Sequence, residues 1–588
     1  MHKKYIIIIL AVVCLAYGNS LLNGFVGDDE IVLVNNRFYD SWSNFPKLFS
    51  KEYNTNSDNN SIFIGVSQNA NSGSVAYRPV LSTAFFIDRS LWGLHPFGYH
   101  LTNFLLHAFN AILIYLLIFS VLKNQNVAML SSLLFAVHPI NAEAVCNIGF
   151  RADLLAVFFV LLSFLYFAKL EYPGIKPRKA FVLSLVFYFL SLFTKESAIV
   201  LPFIFIAYDF YFRRETNPEF LQTLAKRYTA FILVTLFYLY VYFFQFPNTA
   251  LDNAVSGAGP NWASIAKIFL ILGQYVVDFL APAGVHVIPP QYSPVIDSTG
   301  LIKAIWSLTI FILFIVFIFK AKKIQYPSAF FLFWFLVSLL PVANIIPNPN
   351  PLAYRYLYLP SIGFLTVMAL GLEYMDAKLK SENSKIQIAG TMVKLGLVVL
   401  LAVLTIPLTL TWRNEYTLAS MIIEYYPKNP GGYLFRGTVY FKYGLLEKAK
   451  EDLQKSLELG MFDPRGLEML SVCLPDEPQK AKQLLERSIK FFPNFALSYT
   501  ALGRLLLFEG DHEKALPYFQ KSIQLTPTYT GFGYLIQVYL MKGDKAQAQG
   551  ILKEAKEKIS APIELKSLNS FFLYDEKPDK KFPVDIGV

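Results

Sequence analysis

The sequence predicts an all-α integral membrane protein, a polytopic bundle of about eleven transmembrane helices followed by an α-solenoid of short helical repeats. Three observations predict it. The 588 residues are 54% hydrophobic and 16% aromatic, too apolar for a soluble enzyme of ordinary composition. The apolar residues gather in runs of membrane-spanning length, such as Tyr5 to Leu22, Leu101 to Leu122, Leu154 to Leu170 and Leu301 to Phe319. After Thr411 the hydropathy collapses and small residues begin to recur at a fixed period.

The first run leads through Asn19, Ser20 and Asn23 into the polar Gly27-Asp28-Asp29-Glu30, not into a small-residue cleavage site, so it is expected to be a retained span. Lys and Arg concentrate in short loops at His2-Lys3-Lys4, Lys169 to Lys179, Arg213 to Arg227, Lys320 to Lys323 and Lys378 to Lys394, which places these loops in the cytoplasm. Alternation then gives spans near 5–22, 99–122, 128–145, 153–170, 180–194, 197–212, 228–246, 301–319, 328–346, 354–375 and 393–411. The N-terminus is expected inside and the repeats outside. Trp262 to Leu280 is also apolar, but counting it as a span would invert Lys320 to Lys323; with Lys267, Gln274 and Asp278 it reads as an interfacial or re-entrant helix on the outer face. The first outer loop runs over about 26–98.

A net charge of +10 comes mostly from basic clusters between apolar runs, the membrane pattern, and gives no reason to expect nucleic acid. Cys14, Cys146 and Cys473 are too far apart in sequence to suggest a disulfide framework or a zinc spacing.

In the C-terminal part, Ala449, Ala481 and Ala515 each precede a serine by seven residues, and Gly437 and Gly503 each lie twelve residues before one of these alanines. Pro493 and Pro527 are 34 residues apart. This is the tetratricopeptide pattern, in which small residues let paired helices approach and proline ends the unit. Three complete repeats are expected, with a shortened middle one, a weaker fourth at Thr528 to Pro562 and a leading half-repeat at Asn414 to Tyr426. The domains are therefore read as 1–411, 412–566 and a polar tail at 567–588.

Ionisable residues near the spans gather at the outer face: Asp28, Asp29 and Glu30, then Arg78, Asp88, His95 and His100, then His138, Glu143, Arg151 and Asp153, then Lys195-Glu196 and Arg355. Such groups must be paired, hydrated or used. The acidic cluster fits a general base for an attacking hydroxyl; it equally fits an acidic loop start or helix cap. Arg151 and Arg355 offer the planar fork suited to phosphate, or could pair with a neighbouring carboxylate. His100, Asn103 and His107 share a helix face, with interhelical bonding the plainer role for His107. Tyr354, Tyr356 and Tyr358 read as an interfacial aromatic belt, and Lys195 and Glu196 could simply neutralise each other.

Taken in order, GDDEIVLVNN, YRPVLSTAFFIDRSLWGLHPFGYHLTNFLLH, LLFAVHPINAEAVCNIGFRADLLA, SLFTKESAIVLP and AYRYLYLPSIGF resemble the transmembrane and tetratricopeptide-repeat-containing O-mannosyltransferases, relatives of the protein O-mannosyltransferases within the GT-C glycosyltransferases. The resemblance runs from Tyr5 to about Pro562, and HPINAEAV with RAD and RYLYLP are its most specific pieces. It implies a GT-C-type transmembrane bundle whose active site lies between the first outer loop and the membrane. Asp28-Asp29 matches the family's loop motif, whose first member acts as base. The implied donor is a mannosyl or similar sugar on a dolichyl or polyprenyl phosphate; the implied acceptor is a protein held by the repeats.

The expected chemistry is a single inverting displacement. Asp28 takes the proton of a Ser or Thr hydroxyl, the hydroxyl attacks the anomeric carbon, and lipid phosphate leaves. Arg355 first, then Arg151 or His138, would stabilise the developing charge, with Glu143, Arg78, His100 and Lys195 also around the substrate. No cofactor is required, although Asp28, Asp29 and Glu143 could hold a divalent cation. The alternatives are an oligosaccharyltransferase or polymerase-like ligase using a lipid-linked glycan, and a non-enzymatic scaffold or transporter. Charges at the outer boundary, not at mid-membrane, favour the transferase.

Overall fold

The computed structural model describes residues 2–49, 77–169, 176–213, 218–245, 262–286, 298–321, 325–344, 352–379 and 384–558. The expected tail at 567–588 and the middle of the first outer loop lie outside these. The described residues are all helix, turn and loop, and they fall into two compact units that meet in sequence at Asn414 and Glu415.

In the first unit, seven helices are long and apolar enough to cross a membrane: His2–Leu22, Pro96–Leu122, Ile148–Ala168, Arg227–Gln245, Thr299–Lys320, Tyr354–Lys378 and Ile388–Thr411. An eighth is formed if Gln125–Val137 and Pro139–Cys146, bent by 54°, count as one broken span. Against the expected eleven, three segments are too short or too interrupted among the described residues. Pro177–Leu192 has 16 residues, and Tyr326–Val342 is likewise a shorter apolar helix. The stretch from Glu196 is divided between a 3-10 turn, the Leu201–Tyr208 helix and a π turn at Asp209–Arg213. Hydropathy counted apolar residues but not the prolines and turns that divide them. Trp262–Leu280 is one unbroken helix. It crosses Ser298–Lys320 closely, since a side chain at Gly273 would meet Ser307 Oγ.

The bent pair shows how broken backbone is accommodated at membrane depth. Pro139 cannot continue the preceding helix. Asn141 Nδ2 donates to the Phe135 carbonyl at 2.9 Å and Thr405 Oγ1 to the Val137 carbonyl at 2.6 Å, so two freed acceptors find partners. His107 joins the Tyr358 hydroxyl at 2.8 Å and the Ala136 carbonyl at 3.2 Å, tying three helices together.

The second unit begins with the single helix Glu415–Tyr425 and continues as antiparallel pairs: Pro430–Lys442 with Leu446–Glu458, Pro464–Val472 with Pro478–Phe491, Ala496–Phe508 with His512–Leu525, and Tyr529–Met541 with Lys545–Lys558. The shortened member is Pro464–Val472, with nine residues. The repeated glycines are explained by proximity. A Cβ on Gly437 would lie 2.9 Å from Leu453, and one on Gly503 would lie 2.8 Å from Phe519. The core of the last two pairs is built on Ala515, Phe519, Phe532 and Ile536, all buried.

Candidate active site

The first outer loop is pinned where it leaves the first helix. Gly24 N donates to the Arg413 carbonyl at 2.9 Å, Asn23 Nδ2 reaches the Thr409 carbonyl at 3.3 Å, and His100 Nε2 bonds the Gly24 carbonyl at 3.1 Å. Gly27 has φ of +60°, a conformation that suits glycine, and the turn it makes presents Asp28 and Asp29.

These adjacent carboxylates have different surroundings. Asp29 is fully buried; its Oδ2 accepts from Val26 N at 3.1 Å and its Oδ1 from Gly149 N at 2.7 Å. It therefore staples the loop to the turn before Arg151. Burial, only partly offset by these donors, pushes its carboxyl up to about 7. Asp28 is half-buried and makes no hydrogen bond or ion pair among the described residues. Burial raises its carboxyl, opposed by the positive charge of Arg355.

Arg355 stands in a 3-10 turn, Tyr354–Leu357, that leads into the Tyr358–Leu379 helix. Its Nη1 pairs with Glu143 Oε1 at 2.5 Å while its backbone N donates to Glu143 Oε2 at 3.0 Å. Its guanidinium lies 4.0 Å from the centre of the Phe150 ring and 4.9 Å from that of Tyr356. A second charged pair adjoins: Lys195 Nζ meets Asp153 Oδ1 at 2.5 Å and lies 5.6 Å from the Tyr356 ring centre. Arg78 forks onto Glu196, Nη2 to Oε1 at 2.8 Å and Nε to Oε2 at 3.3 Å. Asp28, Arg355, Glu143, Lys195 and Arg78 thus belong to one neighbourhood of charge.

Arg151 and His138 are engaged elsewhere. Arg151 is completely buried, with Nη1 on Asp88 at 2.6 Å, Nε on Asn103 at 2.7 Å and Nη2 on the Tyr99 carbonyl at 2.9 Å. The carboxylate-pairing role is the one its geometry supplies, since its donors point into protein. His138 accepts from Ile140 N at 3.2 Å through Nδ1 and meets the Phe279 carbonyl at 3.3 Å through Nε2, capping the break at Pro139. Both ring nitrogens are occupied, leaving none for a phosphate. His100 is buried and used on one side by the loop. Among the described residues no three His, Cys, Asp or Glu side chains come together to hold a metal. Asp28, Asp29 and Glu143 are not such a set because Asp29 is taken by backbone N–H groups and Glu143 by Arg355.

Sequence reasoning missed Phe150 as the platform under Arg355, and Gly149 and Asn147 beside the carboxylates. All three stand in the CNIGFRAD stretch, and their position immediately before Arg151 was the available signal.

Fold and site together define a multi-pass helical membrane protein that carries tetratricopeptide repeats. A tetratricopeptide-repeat family model matches residues 496–529. A protein O-mannosyl-transferase of Caenorhabditis elegans is 26% identical over 470 residues, 78% of this chain and 63% of that protein. Protein O-mannosyl-transferase Tmtc3 of Drosophila melanogaster is 24% identical over 524 residues, 78% of this chain and 55% of that one. Protein O-mannosyl-transferase TMTC1 of Homo sapiens is 34% identical over 207 residues, 34% of this chain and 22% of that one. The chain spans less than two thirds of the length of each of these relatives. The crystal structure of MamA is 26% identical and covers 24% of this chain and 84% of its own, with a TM-score of 0.22. The chain is thus a relative of the transmembrane and tetratricopeptide-repeat-containing O-mannosyltransferases, as its motifs suggested.

Proposed function

We propose that this protein is a GT-C-type membrane glycosyltransferase that moves a sugar, mannose first, from a polyprenyl or dolichyl phosphate to Ser or Thr hydroxyls of proteins, with inversion. The observation that carries this reading is the state of Asp28. It is a half-buried carboxylate with no hydrogen-bond partner among the described residues, raised by burial and facing the charge of Arg355. A base in that position can take the acceptor's proton, while Arg355, held from beneath by Phe150 and from one side by Glu143, faces the leaving phosphate. Lipid phosphate is a good leaving group, so the scheme needs no strong general acid. Similarity to protein O-mannosyl-transferases of worm, fly and human supports the reaction class.

The topology that serves this chemistry has the N-terminus in the cytoplasm and the site on the periplasmic or lumenal face. The repeats sit on the same face, where they hold the acceptor protein. Purified full-length protein incubated with radiolabelled polyprenyl-phosphate sugars and an acceptor protein tests the proposal. Label should move from the mannosyl lipid to protein; transfer of an oligosaccharide from a pyrophosphate carrier, or no consumption of any lipid-linked sugar, would overturn it.

A further inference from the structure

Asn147 ends the short Ala142–Cys146 helix and is 3% exposed. Its backbone carbonyl accepts from Asn103 Nδ2 at 3.2 Å and its backbone N donates to the Glu143 carbonyl at 3.2 Å, but its side-chain Oδ1 is buried without a hydrogen-bond partner, and no hydrogen bond of its side-chain Nδ2 is seen among the described residues. A buried carboxamide normally uses its donors and acceptors, because each one left unsatisfied is costly. This one faces the acidic pair. The position that a Cβ on Gly149 would take lies 3.1 Å from Asn147 Oδ1, 3.4 Å from Asp29 Oδ1 and 3.8 Å from Asp28 Cβ. Gly149 carries no side chain at this point, and one there would crowd the Asn147 amide.

We infer that Asn147 is a sugar-binding residue, whose carboxamide hydrogen-bonds a hydroxyl of the donor sugar beside Asp28. The assignment rests on the proposed donor chemistry. Within that chemistry the guanidinium of Arg355 suits the phosphate and the carboxylate of Asp28 suits the acceptor hydroxyl. The neutral carboxamide beside the acidic pair, donor and acceptor in one plane, suits a sugar hydroxyl, which is itself both. Asn147 therefore discriminates between sugars and contributes nothing to the grip on lipid phosphate.

The test measures binding of polyprenyl-phosphate mannose and of bare polyprenyl phosphate to the full-length protein in nanodiscs, for the wild type, Asn147→Ala and the space-filling Asn147→Leu. One lost neutral hydrogen bond predicts Kd for the mannosyl lipid raised roughly three- to tenfold, with Kd for the bare lipid unchanged. Thermal unfolding of both variants should match or exceed the wild type, since a buried orphan amide is removed. Unchanged affinity for the mannosyl lipid would overturn the assignment, as would equal weakening for both lipids or a large loss of thermal stability in both variants, which marks a structural amide. A wild type that prefers bare lipid phosphate to every sugar-bearing lipid fails the donor reading itself, and this inference with it.

Discussion

Arg151 and Arg355 are both guanidiniums set beside aromatic rings and a carboxylate, yet one is closed and the other open. Arg151 spends Nη1, Nε and Nη2 on Asp88, Asn103 and the Tyr99 carbonyl, over the Phe85 ring at 4.9 Å. Arg355 gives Nη1 alone to Glu143, and among the described residues its Nε and Nη2 have no protein partner. The same contrast separates Asp29, bonded through both oxygens, from Asp28, bonded through neither. In each pair one member is engaged in the fold, and the other, with fewer protein partners, is the one the proposed chemistry uses. Residue type was identical in both pairs, so only the partners tell the two members of each apart.

The largest effect that would break this division is expected at Asp28. Asp28→Asn keeps size and most hydrogen bonding but removes the proton acceptor, and turnover should fall by about 10² to 10⁴ while donor binding and folding persist. Turnover near that of the wild type would return Asp28 to an ordinary loop acid and move attention to Asp29 or Glu30. Arg151 should respond in stability instead. Arg151→Ala strands Asp88 in a buried site, and thermal unfolding in detergent should report a loss of about 3–5 kcal/mol. The double variant Arg151→Met with Asp88→Leu should recover much of it; a single variant as stable as the wild type would show that Arg151 is not structural.

Arg355→Ala should have a smaller effect than either. Donor affinity is expected to drop by about tenfold or more as a charge-assisted contact to phosphate is lost, with turnover lowered too, because the group serves ground and transition states alike. Unchanged affinity for polyprenyl phosphate, measured on the same preparation as Asp28→Asn, would place Arg355 with Arg151 as scaffold and erase the contrast.

Much of this architecture was legible in the sequence because it depends on local pattern. Runs of spanning length gave His2–Leu22 and Pro96–Leu122, and the seven-residue spacing from Ala449, Ala481 and Ala515 to their serines marked helices that pack against their neighbours. The limits were also physical. Hydropathy averages over a window, so it could not tell a straight span from the interrupted stretch at Glu196–Arg213. Site residues were recognisable as polar groups at a boundary, since bringing them there has a cost. Their pairing was not, because Arg151 meets Asp88 and Arg355 meets Glu143 across 63 and 212 residues of chain. Distances of that kind are set by helix packing, which no local pattern encodes.

The smallest expected effect sharpens the comparison through pH. Asp29 has a folded carboxyl pushed up to about 7, well above the value near 3.9 expected of an unfolded chain. Between those two values the folded protein holds a proton that the unfolded chain has released, so stability is greatest in acid and falls as pH rises from about 4 towards 7. The slope from this one group is at most about 1.4 kcal/mol per pH unit, and it levels off above the folded value. Val26 and Gly149 donate to Asp29 in the direction that favours its charged form, which is why the rise stops near neutrality instead of going further. Thermal unfolding of the detergent-solubilised protein at successive pH values should show that decline, and Asp29→Asn, which cannot ionise, should flatten the Asp29 share of it. An identical pH profile in the variant would mean that Asp29 is ionised throughout, with its backbone donors outweighing burial.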